Sequence, residues 1–193
     1  MKFLSDDEIK KRLNKALYRL YVQDFELLEN VAHERSITHK LGEYLQKLFP
    51  GYDVDCEYNL DINNYQNRKR WVSGEAREKL KKQLQKIQNE LKLDANDLNE
   101  EINKISSIFY PDIIVHKRRT NKHNLLIIEA KKSNITDKSF DEEKLQAFTR
   151  SVDRYDRYEY QLGALVTLDV GNNFRGNEFT EPEYYVSGQK EKL

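Results

Sequence analysis

Two short apolar runs with charged ends constrain this chain more than any other feature. Ile113-Ile114-Val115 is preceded by Pro111-Asp112, and Leu125-Leu126-Ile127-Ile128 runs into Glu129-Ala130-Lys131. Continuous β-branched and leucine runs of this length read as strands covered on both faces. The basic, polar stretch from Lys117 to Asn124 reads as the hairpin loop between them. In an antiparallel hairpin the start of one strand lies beside the end of the other, so Asp112 and Glu129 meet at one edge. Glu129 and Lys131 are two residues apart and project from the same face.

The flanking elements follow from periodicity. Ser5 and Glu8 form a capping-box pair, and Ile9, Leu13, Leu17 and Leu20 recur at helical spacing. This predicts a helix to about Leu28 and an N-terminal helical extension over residues 1–29. A second helix is expected from near Asn30 to Leu48, with Ile37, Leu41, Leu45 and Leu48 as its apolar stripe and Pro50-Gly51 as its end. Tyr52, Val54, Cys56 and Tyr58 alternate with three acids, the pattern of a half-buried strand. Leu80, Leu84, Ile87 and Leu91, then Leu98, Ile102, Ile105 and Phe109, predict a helical-hairpin insertion over 75–109. A sharper reading makes that hairpin an arm for a homodimer or a protein partner. A helix from Asp141 to about Tyr158 and a buried strand Leu162–Leu168 come next. Tyr184-Tyr185-Val186 has weak strand character, and the terminal QKEKL reads as frayed. The whole predicts one α/β domain over 1–193, with a mixed β-sheet flanked by helices.

Composition narrows the function. Charged residues make up 34% of the chain and apolar residues 38%, yet the formal net charge is +0. A passive nucleic-acid coat is normally basic, because phosphate neutralisation supplies its affinity. An enzyme with a local basic rim and a bound cation escapes that requirement. Cys56 is the single cysteine, so neither an internal disulfide nor a cysteine-based zinc site can be completed. The N-terminus turns acidic within six residues, and no segment approaches membrane-spanning length. A cytoplasmic protein without a membrane partner is the expectation.

Two carboxylates at the edge of an apolar sheet are costly unless something compensates them. Mg²⁺ or Mn²⁺, hard cations that keep several waters and bind phosphate, would do so. The Ala130 carbonyl lies between the projecting Glu129 and Lys131 and is a further candidate ligand. Lys131 is expected to act as a point charge near a scissile phosphate or, with its pKa lowered, as a general base.

The segments PDIIVH and LLIIEAKK resemble the signature of the PD-(D/E)XK nuclease superfamily, the restriction-endonuclease-like fold. Asp112 matches its aspartate, Glu129 its second acid and Lys131 its lysine. The resemblance spans roughly residues 30–170, with 60–108 as an insertion, and implies an αβββαβ core. It implies Mg²⁺-dependent cleavage of DNA, less often RNA, and an extra acid on the first core helix, a role that Glu34 fits. Asp112, Glu129, Lys131 and Glu34 are thus the expected catalytic set, with Asp112, Glu129, Ala130 and Glu34 as metal ligands.

Other residues have weaker claims. His116 shares the strand face of Asp112 and is a candidate for phosphate or water contact, set against a simple hydrogen bond to a neighbour. His33 and His39 are expected to face away from Glu34, and Lys132 to be solvated. Lys144 and Gln146 lie on the helix after the triad, from which related nucleases direct polar groups to the site. Lys117, Arg118, Arg119 and Lys122 read as a solvated turn, and Tyr155, Tyr158 and Tyr160 as core caps rather than base-stacking residues. The competing function is a catalytically silent nuclease-fold binding or assembly module that uses the hairpin as its interface. A third reading makes the triad a structural ion-pair network.

Overall fold

A computed structural model describes residues 4–58, 70–71, 107–108, 110–120, 122–150 and 158–192. Its contacts divide the chain into two compact units, Met1–Tyr58 with Tyr110–Leu193, and Asn59–Phe109.

In the first unit, Ser5 caps helix α1 (Asp6–Gln23) through the reciprocal bonds with Glu8 that the sequence predicts. Ile9, Leu13, Leu17 and Leu20 are all buried. The helix stops at Asp24 rather than running to Leu28, and a separate turn, α2, covers Phe25–Glu29. Val31 takes a positive φ of 54°, a conformation that a β-branched residue rarely adopts. It turns the chain before α3 (Glu34–Leu48), which starts four residues later than the periodicity suggested. Ile37, Leu41 and Leu45 bury the inner stripe of α3.

Strand β1 (Asp53–Cys56) follows. In the second unit, β2 (Arg70–Trp71) and β3 (Ser107–Ile108) form an antiparallel pair. The helical hairpin expected over 75–109 lies outside the described residues. Strands β4 (Ile113–His116) and β5 (Leu126–Lys132) are the two apolar runs, β5 extending through the acid and both lysines. Helix α4 spans Ser139–Thr149, ending at an extended Arg150 rather than running to about Tyr158, while β6 spans Leu162–Leu168 as predicted. Gln189 to Glu191 of the C-terminal segment are paired rather than frayed. β7 (Glu183–Val186) and β8 (Gln189–Lys190) pair as a hairpin, turned by Ser187 and Gly188 at positive φ, the backbone that a two-residue turn demands.

The six strands of this unit form one mixed sheet in the order β1-β4-β5-β6-β7-β8. Only β5 and β6 run parallel, joined through α4; the other pairs are antiparallel. Period-2 alternation divides the side chains. Ile113, Val115, Leu126, Ile128 and Ala130 join the core with the buried residues of α1 and α3. Each such aliphatic side chain contributes about 1.5–3 kcal/mol of burial. The opposite face carries Ile114, Ile127, Glu129 and Lys131, and α4 packs there against β5 and β6. Gly163 allows that approach: a Cβ would stand 3.0 Å from a Thr149 methyl and 3.3 Å from Leu145. Among the described residues, no helix is long and apolar enough to cross a membrane.

Candidate active site

The ladder register builds the site. Ile113 pairs with Ile128 and Ile114 with Ile127, so one further step sets Asp112 opposite Glu129. Directly opposed residues hold their Cβ atoms about 4.5–5.5 Å apart. Asp112 also continues the ladder with its side chain, since the Ala130 N–H donates to its Oδ2 at 2.7 Å. In an extended strand a residue's N–H and C=O point to the same side. The Ala130 carbonyl therefore faces the edge at which Asp112 stands.

Glu129 is 2% exposed. Its Oε2 accepts a hydrogen bond from the Lys144 ammonium at 2.5 Å, while its buried Oε1 has no hydrogen-bond partner among the described residues. Lys144 also pairs with Asp141 at 2.7 Å, and Lys131 pairs with the other oxygen of Asp141 at 3.2 Å. The result is a chain of alternating charge, Glu129–Lys144–Asp141–Lys131, between β5 and the first turns of α4.

The acids of this cluster are strained electrostatically. Burial pushes Asp112 up to about 6, against the Ala130 hydrogen bond, and the charge of Glu34 adds to the rise. Burial and the charge of Asp112 push Glu129 well above the usual carboxylate range, although Lys144 pulls the other way. Burial alone would lower Lys131, but the adjoining Asp141 carboxylate outweighs it and raises the ammonium above its ordinary value. Without a cation in the site, Lys131 therefore holds its proton, which favours the point-charge expectation over the general-base one.

Glu34, the first residue of α3, lines a cleft of about 300 Å³ with His33, Arg35, Glu57, Tyr110 and Asp112. Its charge is felt at both Asp112 and Lys131. His33, expected to face away, shares this cleft and accepts the Arg35 N–H at 3.3 Å. His39 instead sits 3.7 Å from Glu43.

His116 does not join the site. It is 1% exposed and bonds to Asp55 Oδ2 at 2.9 Å, a carboxylate that Arg118 also grips. The alternation that set it on the Asp112 face was right, but it stands at the far end of β4. Arg118 is accordingly an ion-pair partner rather than a free turn residue. Lys132 reaches the Val31 carbonyl at 3.4 Å. Tyr158 stacks on Phe148 at 4.8 Å and Tyr160 is buried, both in the core; Tyr155 lies outside the described residues. Gln146 stands about 200° round α4 from Lys144 and faces elsewhere.

Asp141 is the site residue that sequence reasoning passed over. Its signal was present: Asp141, Lys144, Leu145 and Phe148 fall at helical spacing, so an acid and a lysine extend an apolar stripe. All four are buried.

A cation fits this donor set. Among the described residues, no three His, Cys, Asp or Glu side chains form a ready-made cage. Magnesium, however, uses one or two carboxylates and fills its remaining positions with water and phosphate. The unpartnered Glu129 Oε1, the Asp112 carboxylate opposite it and the Ala130 carbonyl supply that kind of partial shell. No protein-family model matches the chain, and no curated protein or solved structure is significantly similar to it.

Proposed function

We propose that the chain is a metal-dependent nuclease of restriction-endonuclease-like fold that hydrolyses phosphodiester bonds, with DNA as its substrate. The observation that carries this reading is the convergence of Asp112, one step beyond the Ile113–Ile128 pair and bonded to the Ala130 N–H, with Glu129 and Lys131 of β5 at one end of the two strands. The chain order α3, β1, β4, β5, α4, β6 and the sheet order β1-β4-β5-β6 support an αβββαβ core. The orphaned Glu129 Oε1 supports a cation between the acids.

Asp112, Glu129 and the Ala130 carbonyl would hold Mg²⁺ or Mn²⁺, with Glu34 reaching the same cleft. The bound cation supplies charge neutralisation for the phosphate and a lowered pKa for the attacking water. Lys131 contributes a permanent positive charge where the phosphorane oxygens become more negative. Asp141 orients that ammonium through its 3.2 Å contact. Water adds to phosphorus, one bridging P–O bond breaks, and the departing oxygen takes up a proton.

The test is cleavage of linear, circular, single-stranded and branched DNA, and of RNA, with Mg²⁺, Mn²⁺ or EDTA. Asp112→Asn and Glu129→Gln proteins are prepared identically. Metal-dependent cutting by the unaltered chain that both substitutions abolish is the expected result. Cutting that survives both, or none on any substrate, overturns the reading and moves the weight to a silent binding module.

A further inference from the structure

Within the proposed site, Lys144 is a second lysine, outside the triad, on the helix that follows it. It is 6% exposed and reaches two buried acids at once, Glu129 at 2.5 Å and Asp141 at 2.7 Å. Burying an ammonium is costly unless it is paired, so this lysine is held for its charge. Four carboxylates, Glu34, Asp112, Glu129 and Asp141, face two lysines, Lys131 and Lys144. With all of them ionised, the cluster carries two excess negative charges, the charge that one divalent cation cancels.

From this geometry we propose that Lys144 is an internal counter-ion that competes with the divalent cation for Glu129, and that Asp141 is where it withdraws. Without a divalent cation, Lys144 neutralises Glu129 and keeps the buried carboxylate from standing alone. When Glu129 takes a cation, the two positive charges repel, and Lys144 shifts its ammonium fully onto Asp141. That shift is short, because Asp141 is already within ion-pair distance, and the four-carbon stem of lysine permits it. Asp141 thus has two duties, orienting Lys131 and receiving Lys144. Lys144 and Asp141 are positioning residues that set how much free metal the site needs before it fills. The inference rests on the nuclease reading for the location of the cation but not on cleavage.

The test measures Mn²⁺ binding without nucleic acid, by electron paramagnetic resonance of the free ion, on the full chain. Lys144→Met keeps the bulk of the side chain and removes the competing charge; Mn²⁺ should bind at least tenfold more tightly. Lys144→Arg keeps the charge but replaces the mobile ammonium with a planar, two-pronged group that grips Glu129; binding should weaken several-fold. Asp141→Asn removes the place of withdrawal and should also weaken binding. Opposite shifts from Lys144→Met and Asp141→Asn are the signature, since mere loosening of α4 would weaken both. Thermal melting checks that each variant is folded, and Glu129→Gln should abolish the signal.

Mn²⁺ binding by Lys144→Met, with none detected for the unaltered chain, would support the proposal in its strongest form. Unchanged or weaker binding in Lys144→Met overturns it, as does absence of binding in both. The nuclease reading is judged separately by the cleavage assay, so Mn²⁺-dependent cutting with an unresponsive Lys144→Met leaves that reading standing and removes this one.

Discussion

The two ends of strand β4 carry the same chemistry to opposite results. At one end Asp55, half-buried beside the buried His116, accepts bonds from both that histidine and Arg118. Burial works against its charge, but those two partners outweigh it and hold the carboxyl well below its usual range. At the other end burial pushes Asp112 up to about 6 and Glu129 well above the usual carboxylate range. Both ends lie on one sheet face and both withdraw acids from water, Asp55 in part and Glu129 almost wholly. They differ in whether the positive partners match the acids. A buried acid whose partners are complete is structure; a buried acid left short of positive charge, on rigid strands, is the place to look for function.

The largest effect should fall on activity. On the proposed nuclease reading, Lys131→Met is expected to lower cleavage by about a thousandfold, the scale for losing a charge aimed at the transition state. His116→Gln at the other end should leave cleavage nearly unchanged. Comparable losses from both would erase the distinction between the two ends. Next in size is stability: Asp55→Ala strands a buried histidine and should cost about 3 kcal/mol, measured by urea denaturation.

The reverse sign is expected at the site. In the folded chain Asp112 holds a proton to about pH 6, against an ordinary value of 3.8. Between those values the folded state binds more protons than the unfolded one, so this group's contribution to stability falls as pH rises and is lowest above pH 6. Asp112→Asn keeps an acceptor for the Ala130 N–H and should stabilise the metal-free protein by about 1–2 kcal/mol at pH 7.5. The gain should vanish toward pH 4. A destabilised Asp112→Asn at pH 7.5 would mean that the acid is already matched. The smallest effect is expected from Gly163→Ala, which presses on α4 beneath the site and should cost about 1 kcal/mol. Mn²⁺ affinity should change with it, while the resonances of His116 stay in place.

Much of this arrangement was legible in the sequence because strand periodicity is rigid. Two apolar runs joined by a polar loop made the pairing of Asp112 with Glu129 a matter of counting, and Lys131 followed from a period of two. Helix boundaries were less legible. The break at Asp24 and the positive φ of Val31 before α3 are backbone features, which apolar spacing does not encode. Asp141 was hidden by composition. In a chain one-third charged, an acid in the first turn of a helix looks like ordinary complement to the helix dipole. Only its place on the Leu145 and Phe148 stripe distinguishes it. His116 shows the opposite failure: knowing the face of a strand does not give the position along it, and Asp55 on a separate strand decided its role. The tail was misread because its pairing needs β7 beside it, a contact made in three dimensions rather than along the chain.

The bond from the Ala130 N–H to Asp112 Oδ2 has a spectroscopic consequence. An amide proton held by an ionised carboxylate resonates downfield of one held by a neutral carboxyl. The Ala130 amide signal should therefore move with a midpoint near pH 6 as Asp112 titrates, and move again when cations are added. It should also exchange slowly with deuterium, because the carboxylate closes the last rung of the β4–β5 ladder. A single nitrogen on the protein backbone thus becomes a gauge of the charge in the site, readable without substrate or turnover.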